Sequence, residues 1–185
     1  MGQRQGMQVI FIHGAAASGK HTIGSQLSTL TGLPLFHNHL AVDIALSLFE
    51  FGTQEFKNVR ASIWRTAFQE AARSSRSFIF TFHPEASVEP TLVAELVDLI
   101  EAVGGTVLFV ELICAHETTL ERLGNPSREK FRKLTDANLY RRLEEEGAFR
   151  YPPLPKPFVS INTNELTPEA AANRINAALE RARGE

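Results

Sequence analysis

The segment Met7 to Thr22, MQVIFIHGAAASGKHT, constrains this chain more than any other. A short apolar run, Val9 to Ile12, leads into Gly14-Ala15-Ala16-Ala17-Ser18-Gly19-Lys20, and an amphipathic stretch, Ile23 to Leu30, follows at once. The order reads as strand, glycine loop, helix. The spacing G-x-x-x-x-G-K is that of a phosphate-binding loop. Gly14 and Gly19 allow backbone conformations that a side chain would block. Successive N–H groups can then curl round phosphate oxygens, and the start of the helix adds partial positive charge. Lys20 neutralises the outer phosphates in this reading. The plainer alternative is a glycine turn with a solvated lysine.

The rest of the chain alternates strand-like and helix-like patterns, which argues for a parallel sheet covered on both faces. Strands are expected at about 8–13, 33–37, 78–82, 106–113 and 158–162. Helices are expected at about 20–31, 40–51, 56–72, 90–103, 116–123, 127–134, 136–146 and from 168 to about 183. Gly32 and the pair Gly104-Gly105 mark helix ends, and Thr167-Pro168-Glu169 marks a helix start. Tyr151 to Pro157 contains four prolines and reads as an extended loop. The expected fold is α/β, a single three-layer α/β/α domain over residues 1–185 with a five-stranded parallel sheet. It carries two insertions, at about 40–73 and about 124–150.

Composition narrows the partners. A chain of 185 residues can bury one full core, and 43% apolar with 22% charged residues is ordinary for a soluble globule. A net charge of −2 offers no general surface for nucleic acid or membrane. Cys114 is the only cysteine, so no internal disulfide forms. No apolar run approaches membrane-spanning length, and the N-terminus lacks a charged-then-apolar signal pattern. The expected location is the cytoplasm; the oligomeric state is open.

The end of the glycine loop is distinctive. The residue after Lys20 is His21, and the hydroxyl comes one later, at Thr22. This resembles the Gly-Lys-Gly-Thr ending of adenylate-kinase-type nucleotide kinases, with His21 replacing the third glycine. The two insertions resemble the substrate-binding domain and lid of nucleotide and shikimate kinases. The resemblance implies ATP as phosphoryl donor, Mg²⁺ held largely through water, and Thr22 contacting an inner phosphate. It assigns Gly14 to Thr22, together with Arg122 of the Leu-Glu-Arg-Leu segment, to the nucleotide. It also puts Thr81 where adenylate kinases carry a metal-associated Asp, and His37 and His39 near where shikimate kinases carry Asp-Ser-Asp. Both acidic landmarks are absent here.

The six histidines offer a replacement, since each lies at or just beyond the C-terminal end of an expected strand. Ligands of open α/β sheets bind at that edge. His39 is the preferred group for a direct substrate role, with Asp43 one helical turn on as its orienting partner or as the base itself. His37 and His83 are further substrate candidates; His13 reads as a structural hydrogen-bonder and His116 as a helix-start residue. Arg60 and Arg65 lie where related kinases carry substrate arginines, because a guanidinium clamps carboxylate or phosphate. The alternative for each is an ion pair. Phe36, Phe49, Phe51, Phe56 and Phe68 read as the core of the first insertion. Arg128 and Arg132, four apart in a basic cluster of the second insertion, suit transition-state charge stabilisation by a lid. No metal-ligand set is apparent.

These features lead to one expectation and two alternatives. The expectation is ATP-dependent phosphoryl transfer to a small-molecule hydroxyl or phosphate acceptor. The alternatives are a nucleotide-binding sensor or interaction module without transfer, and a fold that holds another phosphate metabolite or a sulfo donor.

Overall fold

In the computed structural model, residues 6–124, 134 and 136–184 are described. Five strands form one all-parallel sheet: β1 (Gln8–Gly14), β2 (Leu35–His37), β3 (Phe78–Phe82), β4 (Thr106–Ile113) and β5 (Val159–Asn162). Their order across the sheet is β2-β3-β1-β4-β5. Between and after them run α1 (Lys20–Thr31), α2 (His39–Leu46), α3 (Gln54–Arg73), α4 (Leu92–Glu101), α5 (His116–Leu123), α6 (Ala137–Glu145) and α7 (Pro168–Gly184). The expected three-layer α/β/α architecture with a five-stranded parallel sheet is observed.

The layering follows from the alternation of side chains along strands. On β1, Val9 and Phe11 point into one core, with Trp64 and Phe68 of α3 and Leu92, Leu96 and Ile100 of α4. Ile10 and Ile12 point into the other, with Ile23 and Leu27 of α1 and Ile175 and Leu179 of α7. Strands buried on both faces read as continuous apolar runs, and Val9 to Ile12 of β1 and Phe78 to Phe80 of β3 do. Aromatic rings dominate the α3/α4 side: Phe11 lies 5.2 Å from Phe80, 5.4 Å from Phe82 and 4.8 Å from Phe109.

Local chemistry ends the elements where expected, with one exception. Gly32 adopts a left-handed conformation (φ 71°), and its N–H closes α1 on the Ser28 carbonyl. Thr53 caps α3 by accepting from the Phe56 N–H. Asp136 caps α6 through the N–H groups of Leu139 and Asn138, which hold its carboxyl below the usual range. The helix expected at 40–51 stops at Leu46. The Ser47 hydroxyl bonds back to the Ile44 carbonyl at 2.6 Å, and the chain turns toward Gly52 (φ 84°).

That early stop changes the expected core of the first insertion. Phe56 packs with Val42 and Ala45, supported by Phe49. Phe36 and Phe68 belong to the main core, and Phe51 is 59% exposed. The helix expected at 127–134 lies, except for Leu134, outside the described residues, and so do Arg128 and Arg132. Among the described residues no helix is long and apolar enough to cross a membrane.

Candidate functional site

The sheet order puts β1 between β3 and β4, so the loop after β1 opens at the C-terminal edge where the connections diverge. Gly14 passes close to β4: a Cβ built on it would meet the Leu112 carbonyl oxygen at 2.6 Å. Ala17 (φ 57°) and Gly19 (φ 92°) are left-handed, which curls the backbone. Ser18 is fully buried. α1 then starts with no side-chain cap and no acidic residue in its first turn. The first N–H groups of a helix have no acceptor within the helix itself, and with its partial positive charge they make this end of α1 a place for an anion. The Lys20 ammonium folds over this loop, donating to the carbonyls of Ala15 at 2.6 Å and Gly14 at 2.8 Å.

One cavity of about 1190 Å³ joins this loop to the other strand ends. Ala16 to Ile23 form its floor. Asn38, His39, Leu46, Phe51, Gly52 and Lys57 supply one side, and Thr81, His83 and Glu85 to Ser87 another. Arg122, Thr163, Leu166 and Pro168 close the side near β5, and α6 and the residues after it add Leu139, Leu143, Ala148 and Phe149.

Several expected residues come together here. His21 and His37 meet edge to face, with ring centroids 4.7 Å apart, and His37 lies 6.5 Å from His39. β2 ends at His37 and α2 begins at His39, so the chain turns between them instead of alternating as a strand. The Asn38 N–H fixes this corner by donating to Thr81 Oγ1 at 3.1 Å. His21 and His39 are on the cavity wall; His37 is not. His83 reaches the glycine loop: its Nδ1 lies 3.2 Å from the Gly14 carbonyl. A carbonyl only accepts, so Nδ1 carries the proton. Arg122 lines the cavity but is anchored, donating to the Thr163 carbonyl at 2.7 Å.

Asp43 sits one turn beyond His39, off the cavity wall. Its Oδ1 is buried without a hydrogen-bond partner among the described residues. His13, 8% exposed, sits beneath the loop, and burial lowers the pKa of its imidazole. His116 is off the cavity wall and contacts Glu144 at 3.5 Å.

The two insertion arginines are corrected. Arg60 is 1% exposed and does not reach the cavity. It donates to Glu85 Oε1 at 2.6 Å and to the Ser87 carbonyl at 2.7 Å, with Phe56 and Trp64 against its guanidinium. Arg65 lies on the outer surface, paired with Glu95 at 2.8 Å and Glu89 at 3.0 Å. The hydrogen bond to Glu95 leads the effects that raise the pKa of this guanidinium, and the one to Arg65 lowers that of Glu95. In both cases acidic neighbours, 24 to 30 positions away in sequence, claimed the guanidinium.

Cavity residues missed from sequence include Lys57, Ser87, Phe149 and Thr163. Lys57 lies three positions before the buried Arg60, so the helical phase of α3 could have revealed it. Phe149 stacks on Tyr140 at 4.9 Å and lies 5.4 Å from His83, contacts that no local pattern encodes.

Comparison with known proteins bears on this geometry. No protein-family model matches the chain, and no curated protein matches it. Solved structures do match in fold. A sugar kinase from Janibacter sp. aligns with a TM-score of 0.64 at 17% identity, over 95% of each chain. The Mycobacterium tuberculosis APS kinase, solved with AMPPNP and APS, aligns with a TM-score of 0.64 at 12% identity, over 95% of this chain and 98% of that one. Shikimate kinase from Aquifex aeolicus aligns with a TM-score of 0.55 at 19% identity, over 96% of this chain and 99% of that one. The chain has the fold of P-loop kinases.

Proposed function

We propose that the chain is an ATP-dependent kinase that transfers the γ-phosphoryl group to a hydroxyl or phosphate of a small-molecule acceptor. The observation that carries this reading is the continuity of the site. An uncapped helix start behind a curled glycine loop opens into the same cavity as His39, Thr81 and His83. The fold shared with the sugar kinase and with the APS kinase bound to AMPPNP supports it.

The loop fits an oligophosphate: its closest approach admits no side chain at Gly14, and its lysine already holds two oxygen acceptors. In the proposed mechanism Lys20 exchanges those carbonyls for phosphate oxygens. The first-turn N–H groups of α1 orient the donor, and Thr22 meets an inner phosphate. His39, on the cavity wall, orients the acceptor hydroxyl and takes its proton, and Asp43, one helical turn on and off the wall, acts through it as its orienting partner. Arg122 lines the nucleotide side. Arg128 and Arg132, by family resemblance, stabilise charge on the transferring group. Mg²⁺ supplies neutralisation of the phosphates when bound. Among the described residues no group of three or more His, Cys, Asp or Glu is arranged to hold a metal. In this reading Mg²⁺ would sit mostly among phosphates and waters, with Thr22 on an inner phosphate.

Single-turnover reactions with γ-labelled ATP and a panel of small alcohols and phosphate monoesters test the proposal. Label should move to an acceptor, and Lys20→Ala should prevent it. Tight ATP binding with no transfer to any acceptor overturns it in favour of a second reading, a nucleotide-responsive binding module. One observation favours that reading: Thr81, at the position of the family's metal-associated acid, is neutral and its hydroxyl accepts the Asn38 N–H.

A further inference from the structure

We infer that the acceptor is an uncharged, hydroxyl-bearing molecule with an apolar portion, not a carboxylate or phosphate ester; the inference rests on the kinase reading of the cavity. An anion in a partly enclosed cavity needs a cation with donors to spare, because losing its water is costly. The two arginines placed by sequence to meet such an anion do not. Arg60 uses its fork on Glu85 and Ser87 and has Phe56 and Trp64 against it. Arg65 is committed to Glu89 and Glu95 outside the cavity.

What reaches the wall instead is the counter-ion. Glu85 lines the cavity, and its Oε1 receives Arg60 and the Ser87 hydroxyl. Among the described residues its Oε2 makes no hydrogen bond. A carboxylate oxygen accepts from a neutral hydroxyl and repels an anion. Lys57 is the one lysine or arginine that α2 and α3 bring to this wall among the described residues. It is half-buried, and a single ammonium is a point charge without the bidentate fork that selects carboxylates and phosphates. Leu46, Phe51 and Phe149 add apolar surface to the wall. Phe51, 59% exposed at the rim, is an aromatic face that an apolar ligand would cover.

The test measures binding, so it is independent of turnover. The protein is saturated with a non-hydrolysable ATP analogue and Mg²⁺. It is then titrated, by ligand-observed NMR, with cyclitols, sugars and aryl alcohols. Each is offered as the neutral alcohol, the matching carboxylate and the matching phosphate monoester. The neutral member should bind at least tenfold tighter than its anionic counterparts. Phe51→Ser, a change at an exposed position, should weaken that binding several-fold and leave nucleotide affinity unchanged. Equal or tighter binding of the anions, or no binding by any neutral member, overturns the inference. Neutral binding without phosphoryl transfer sustains it and overturns the kinase reading instead.

Discussion

Arg60 Nη1 and Glu85 Oε1 meet at 2.6 Å with the arginine buried, fastening α3 to the loop that follows β3. Burial lowers the guanidinium pKa, and Glu85 opposes that shift. Removing one member of such a pair leaves a stranded charge. Arg60→Ala is expected to cost roughly 3–5 kcal/mol of unfolding free energy, with lost packing against Trp64 contributing. Urea unfolding monitored by Trp64 fluorescence measures it. A loss below about 1 kcal/mol, the scale of an exposed pair, would contradict the burial.

Lys20 holds two loop carbonyls in this structure and is expected to hold phosphates when nucleotide binds. Lys20→Ala should lower ATP affinity by about 10–100-fold, corresponding to one or two charge-assisted hydrogen bonds. Calorimetric titration with and without Mg²⁺ reads it directly. Gly14→Ala should act differently: its Cβ would strike the Leu112 carbonyl at 2.6 Å. It should destabilise the apo protein by about 1–3 kcal/mol, the usual cost of overpacking. Normal stability of the Gly14→Ala variant would contradict the close approach of loop and β4.

The fold was legible because the runs Val9 to Ile12 and Phe78 to Phe80 are apolar on both faces, as strands buried in a parallel sheet are. The glycine loop was legible because its backbone conformation depends on local residue types. The fate of Arg60 was also written in the chain. Phe56, Arg60, Trp64, Phe68 and Ala72 recur every four residues, and all are buried on one face of α3. That periodicity argued for an interior arginine over a substrate clamp. Its partner was not legible, since Glu85 lies on a loop 25 positions away. The His37–Asn38–His39 corner was hidden for a similar reason: the turn depends on Thr81 in the neighbouring strand. Phe51 reads as core by composition, but the early end of α2 moves it to the cavity rim.

His39 on the cavity wall and Asp43 behind it make separable predictions about the acceptor proton. If His39 is the base, His39→Gln should lower kcat by about 10²–10⁴ with little change in KM for ATP. The acid limb of the pH–rate profile should then vanish, because activity falls at low pH only where a base becomes protonated. Asp43→Asn should instead lower kcat modestly and move that limb, as expected of a residue that orients His39. The reverse pattern assigns the base to Asp43. A normal kcat in both variants removes this pair from the mechanism.

His13 lies beneath the glycine loop, 8% exposed, with its Nε2 buried and unpartnered among the described residues. Desolvation lowers its pKa from the ordinary value of 6.5; Glu111 opposes the shift and Lys20 adds to it. The unfolded chain therefore binds this proton at a pH where the folded chain does not. Stability rises with pH wherever the unfolded state holds more protons. His13 should leave stability unaffected above its unfolded pKa. It should erode stability progressively as pH falls from about 6.5 toward the lower folded value. Urea midpoints measured from about pH 8 to about pH 5 should fall through this window in the wild type. They should fall less in His13→Gln, which cannot titrate. Parallel slopes in the two proteins would show that His13 takes up its proton as readily folded as unfolded, and that the space beneath the loop is open to water.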